Sequence, residues 1–122
     1  MTQLETCEGY CVFRPTGAVA LEEATRIMVE AITQCRDQQV RRLLVDSRQL
    51  SIGTINQVDR YYFVDQWARA ASGVVKVAML VRATDLDPQQ FARTVGANRG
   101  FSISAFAAEA DAIAWLLDSH SD

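Results

Sequence analysis

Two short apolar runs, each halted abruptly by polar groups, constrain this chain most. Val40-Arg41-Arg42-Leu43-Leu44-Val45 stops at Asp46, Ser47 and Arg48, and Lys76-Val77-Ala78-Met79-Leu80-Val81 gives way to Arg82, Thr84 and Asp85. A long helical pattern follows each run. Apolar runs of this length without polar alternation are strands buried on both faces, and sheets are buried on both faces when helices cover them. The expectation is an α/β domain with a mixed sheet of four or five strands and about four helices. The two runs should be neighbours and parallel, because right-handed strand, helix, strand connections place successive strands side by side. A length of 122 residues suits one such domain spanning residues 1–122.

The flanking segments fill in the order. Leu4 to Cys7 and Tyr10 to Phe13 read as two antiparallel strands turning at Glu8-Gly9, where glycine tolerates the positive φ of a tight hairpin. Ala24, Ile27, Met28, Ala31, Ile32 and Cys35 follow the i, i+3, i+4 spacing of one helical face, with Glu22 and Glu23 near the helix start and Arg36 near its end, as the helix dipole favours. Thr54 is placed as the N-cap of a second helix running to about residue 72, with Gly73 as its stop. Asp87-Pro88-Gln89-Gln90 reads as the start of a third helix, with Phe91, Ala92 and Val95 as its buried face and Asn98-Arg99-Gly100 as its end. Phe101 to Phe106 alternates apolar and polar, which predicts an edge strand with one wet face. A last helix puts Ala110, Ile113, Ala114 and Leu117 on one stripe.

Charge and composition exclude several functions. A net charge of −3 offers no electrostatic footprint for nucleic acid, which needs clustered Lys and Arg; only Arg41-Arg42 is locally basic. No segment has the apolar length of a membrane span, and Met1 to Glu5 lacks the basic and apolar regions of a signal peptide, so the expected location is the cytoplasm. Three cysteines, Cys7, Cys11 and Cys35, cannot close a disulfide framework. Cys7 and Cys11 could share one face of the hairpin, but with Cys35 and His120 they match no zinc spacing, so no metal or cofactor is expected.

The order of elements resembles the STAS domain, the fold of bacterial anti-sigma-factor antagonists, and more closely the SpoIIAA-like family of stand-alone bacterial proteins. The resemblance rests on Val12-Phe13-Arg14-Pro15-Thr16-Gly17 before the first helix, on Leu43-Leu44-Val45-Asp46 as the central strand, on the run 76–81, and on the closing segment with Phe106, Ala112 and Trp115-Leu116. The resemblance implies regulation through protein binding. In the antagonists an Asp-Ser pair opens the helix after the central strand, and phosphorylation of that Ser blocks partner binding. Here that region reads Ser51-Ile52-Gly53-Thr54-Ile55-Asn56 without an Asp-Ser pair, and Asp46-Ser47 falls earlier, at the strand end. Ser51 and Thr54 remain candidates by position.

Two sets of residues are candidates for function. Asp46, Ser47 and Arg48 after one strand, and Arg82, Thr84 and Asp85 after the next, should converge on one rim, where open α/β sheets place their ligands. The structural alternative is that they satisfy loop backbone and pair with one another. Ser47 has no base within the pattern and no Gly-x-Ser-x-Gly elbow, which points away from catalysis. The second set is Tyr61, Tyr62, Phe63 and Trp67 on the second helix, whose apolar arc is wider than one sheet face requires. That surplus predicts a homodimer or another protein partner. The alternative is a groove for a small apolar or lipid-like ligand, because SpoIIAA-like domains resemble the lipid-binding CRAL-TRIO fold in outline.

Overall fold

The computed structural model describes residues 4–53, 56–85 and 91–118. A hairpin opens the chain, β1 (Glu5–Cys7) and β2 (Tyr10–Phe13), turning through Gly9 at a φ of 87° that only glycine adopts without strain. Strand β3 (Gly17–Ala18) leads to α1 (Leu21–Asp37), which is followed by β4 (Arg42–Asp46), β5 (Leu50–Ser51) and α2 (Gln57–Ala71). The chain continues through β6 (Lys76–Leu80), a single 3-10 turn at Ala83–Asp85, α3 (Phe91–Asn98), β7 (Ile103–Phe106) and α4 (Glu109–Leu117).

Five strands form one mixed sheet in the order β1-β2-β4-β6-β7, while β3 and β5 pair as a small parallel ribbon beside it. Only β1 to β2 is antiparallel. The two apolar runs are neighbours and parallel as their pattern predicts, with Leu43 opposite Val77 and Asp46 opposite Leu80. Alternation across the pleat divides the core. On one face, Cys11, Phe13, Leu43, Val45, Val77 and Ile103 meet α1, α2 and α3; on the other, Val12, Leu44, Ala78 and Leu80 meet α4 through Ala112 and Leu116.

Several local expectations are corrected. The cap of α2 is Asn56, whose side chain accepts from the Asp59 backbone N–H at 2.8 Å while the Asp59 carboxylate accepts from the Asn56 N–H. Thr54, the expected cap, lies outside the described residues, as do Asp87-Pro88-Gln89-Gln90 and His120. The buried stripe of α4 is Ala112 and Leu116; Ala110, Ala114 and Leu117 are exposed. The face of α4 that meets the sheet is the one carrying Ala112, Trp115 and Leu116, with Trp115 packed toward Phe106 and Lys76. Strand β7 is an edge, but it has no wet face. Ser104 is buried because it lies opposite Ala78 on the side that α4 covers.

Candidate functional site

Asp46 ends β4 and is the centre of the rim. Its carboxylate accepts from Arg48 Nε at 2.9 Å, Arg48 Nη2 at 2.9 Å and the Arg48 backbone N–H at 3.2 Å. Arg14, just past the end of β2, adds Nη1 at 2.7 Å and also reaches Glu109 Oε1 at 3.0 Å, at the first residue of α4. Arg48 Nη2 lies 3.7 Å from the same Glu109 oxygen. Two guanidinium groups thus bridge two carboxylates, and the sheet is what assembles them, because the ends of β2 and β4 are adjacent.

The electrostatics follow from these contacts. Hydrogen bonding from Arg48 outweighs the opposing effect of burial and, with help from Arg14, holds the Asp46 carboxyl down at about 2. The Arg14 guanidinium is raised, first by its hydrogen bond to Glu109. A carboxylate in that state is a poor proton acceptor at neutral pH. Ser47 is committed as well: its Oγ donates to the Leu80 carbonyl at 3.1 Å and its backbone N–H donates to the same oxygen at 2.9 Å, stitching β4 to β6. Arg82 and Thr84 are exposed at the same end of the sheet, and Asp85 closes the 3-10 turn. The rim is an ion-pair box. Arg14 and Glu109 are the members that sequence reasoning missed, and no local pattern marks residues separated by 95 positions.

The aromatic set divides by helical position. Phe63, Val64, Trp67, Ala68 and Ala71 face the sheet, with Phe63 and Trp67 stacked at a centroid distance of 5.4 Å. Trp67 is 9% exposed and belongs to the core, so the outward aromatic surface is smaller than the sequence predicts. Val58, Tyr61 and Tyr62 point away from the sheet and are 75%, 43% and 50% exposed. Asp65 and Arg69 continue this outer face at i+4 spacings, joined at 3.1 Å. Arg99, from the end of α3, reaches Asp65 at 2.9 Å and lies 5.1 Å from the Tyr61 ring. A cavity of about 710 Å³ at the opposite end of the sheet from the ion-pair box is lined by none of the four aromatic residues.

The hairpin register separates the cysteines. Thr6 stands opposite Cys11 and Cys7 opposite Tyr10, so Cys7 and Cys11 emerge on opposite faces of the sheet and do not share one. Cys11 and Cys35 are buried together under α1, and burial, then proximity to Cys11, pushes the Cys35 thiol up to about 12. Among the described residues no three His, Cys, Asp or Glu side chains gather in a way that could hold a metal ion. Among them also, no helix is long and apolar enough to cross a membrane.

No protein-family model matches the chain, and no curated protein matches it. Solved structures do. An uncharacterised protein from Shewanella loihica PV-4, of the DUF3478 family and with a SpoIIAA-like fold, is 16% identical, with a TM-score of 0.54 over 95% of this chain and 92% of its own. The anti-sigma factor antagonist SpoIIAA in its unphosphorylated form is 20% identical, with a TM-score of 0.52 over 93% of this chain and 96% of its own. The chain has a SpoIIAA-like fold.

Proposed function

We propose that this chain is a non-enzymatic regulatory module that acts by binding protein through the outer face of α2, and that its first partner is a second copy of itself. The observation that carries the reading is the outward set Val58, Tyr61 and Tyr62 on a helix whose inner face is already packed against the sheet. Intramolecular packing accounts for Phe63 and Trp67 and leaves these three to water. Tyrosine framed by arginine is the composition that dominates binding energy at protein interfaces. The charged frame has both signs, Asp65 with Arg69 and Arg99, which suits a two-fold contact in which one patch meets its own copy. The antagonist with this fold is by name a protein acting on a regulator, which supports a regulatory reading without identifying the partner.

The locked state of Asp46 and the structural bonds of Ser47 support a role outside catalysis for the rim. Cys7, Cys11 and Cys35 are free thiols, as suits a reducing cytoplasm. Thr54 stays a candidate modification position by sequence alone. Carriage of a small apolar ligand in the aromatic cluster has less support, because Phe63 and Trp67 fill core space and Tyr61 carries Arg99 on its ring.

Hydrogen exchange at two protein concentrations tests the reading. Amides of α2 should gain protection between roughly 1 µM and 100 µM, the span in which micromolar association populates the complex. Unchanged exchange along α2 would remove the support for this interface.

A further inference from the structure

At the end of the sheet where β4 and β6 begin, Arg41, Arg42, Lys76 and Arg93 line one cavity of about 710 Å³, with Asp118 as the carboxylate among its walls. Four of the chain's twelve Lys and Arg residues therefore line one space, in a protein whose net charge is −3. Four cations against one carboxylate leave this lining at +3, opposite in sign to the molecule. Several other arginines are matched: Arg14 and Arg48 by Asp46 and Glu109, Arg26 by Glu23 and Glu30, Arg69 and Arg99 by Asp65. Arg41, Arg42 and Arg93 have no such carboxylate among the described residues.

The chain's single lysine sets the floor of this cavity. Lys76 is 8% exposed, and its ammonium donates to the carbonyls of Trp115 at 2.8 Å and Asp118 at 2.9 Å, at the C-terminal end of α4. It also lies 4.3 Å from the centre of the Trp115 ring. These contacts anchor α4, and they keep a buried positive charge beside the cavity whatever the cavity holds. The apolar residues of the lining include Val74, Phe101 and Trp115. Trp115 Nε1, like Trp67 Nε1 in the core, is buried with no acceptor among the described residues.

We propose that this cavity binds a small organic anion, a carboxylate or phosphate ester carried on a flat apolar body, with Arg41 and Arg93 holding the anionic group. Arginine forks match the geometry of carboxylate and phosphate oxygens, and an apolar wall suits a flat ring. The volume falls within the range of about 300–1,000 Å³ usual for small-molecule sites. The site is remote from the ion-pair box around Asp46 and is independent of the α2 interface, so either can fail without the other.

Calorimetric titration of the purified full chain tests it with 1-naphthyl phosphate, inorganic phosphate and 1-naphthol as separate probes. The naphthyl phosphate should bind saturably with a Kd below about 1 mM. It should bind at least tenfold tighter than either fragment, because both the charge and the ring are recognised. The double variant Arg41→Ala/Arg93→Ala alters two exposed side chains and should weaken binding at least tenfold without moving the melting temperature. Arg26→Ala, an exposed arginine on α1, should bind as the wild type does. Absence of saturable binding by the naphthyl phosphate, equal affinity for phosphate alone, or unchanged affinity in the double variant would each overturn the proposal. Should the double variant lower the melting temperature, the single variant Arg93→Ala decides by the same criterion.

Discussion

Asp46 and Arg48, two positions apart, are locked side chain to side chain by a two-pronged contact, Nε to Oδ1 and Nη2 to Oδ2, each 2.9 Å. Charge-assisted pairs of this geometry are stronger than neutral hydrogen bonds, and Asp46 is buried while its partners are part-exposed. Asp46→Asn should therefore cost about 2 kcal/mol at neutral pH, discounted from a fully buried pair because water screens the arginines. Urea unfolding at pH 7 measures it.

The same pair fixes a pH dependence. A carboxylate whose pKa is lower in the folded state stabilises the fold fully above its unfolded value and loses that contribution as pH falls through the folded value. For Asp46 those values are 3.8 and about 2, so the loss is expected between roughly pH 4 and pH 2. Stability of the wild type should fall more steeply across that window than stability of Asp46→Asn. Parallel curves would contradict the ion-pair account.

What the sequence made legible here depended on range. The runs ending at Asp46 and Val81 declared themselves because burial on both faces leaves a local, unbroken apolar record. The hairpin turn at Gly9 was equally local. The partnership of Arg14 with Glu109 was not legible, since it exists only after β2, β4 and α4 have been placed. Trp67 and Tyr61 looked alike in sequence, and only the helix phase relative to the sheet assigns one to the core and the other to the surface. The cap at Asn56 was readable from Asn56 and Asp59, whose three-residue spacing is that of a capping box, but Thr54 drew the assignment first.

Gly96 on α3 packs so closely on β7 that a Cβ there would stand 2.7 Å from Ile103 Cγ2 and 2.7 Å from the Phe101 carbonyl oxygen. Alanine usually gains close to 1 kcal/mol over glycine within a helix. Here a backbone oxygen cannot step aside as a side-chain end can, so the clash should win. Gly96→Ala is expected to destabilise by about 1–3 kcal/mol, read by denaturant midpoint.

Thiol labelling separates the three cysteines. Cys11 and Cys35 are fully buried, and the Cys35 thiol, raised to about 12, donates to the Val40 carbonyl at 3.2 Å. Thiolate is the reactive form, so only the part-exposed Cys7 should react with a maleimide in the native protein. Unfolding should release the other two. Rapid native labelling of all three would show that the α1 face opens readily.

Trp67 and the two outward tyrosines should respond differently to substitution. Trp67→Ala removes a stacked core ring and should cost about 3–5 kcal/mol. At about 1 µM, below the association range, Tyr61→Ser with Tyr62→Ser removes surface rings of the monomer and should leave the denaturant midpoint nearly unchanged, because substitutions at exposed positions usually fall within about 0.5 kcal/mol.

The central claim, that α2 presents a self-associating surface, is tested most directly by sedimentation velocity of the wild type and the Tyr61→Ser/Tyr62→Ser variant side by side. At tens of micromolar, an ordinary range for such association, the wild type should sediment as a dimer and the variant as a monomer. A wild type that remains monomeric there, or a variant that dimerises equally well, would contradict the account.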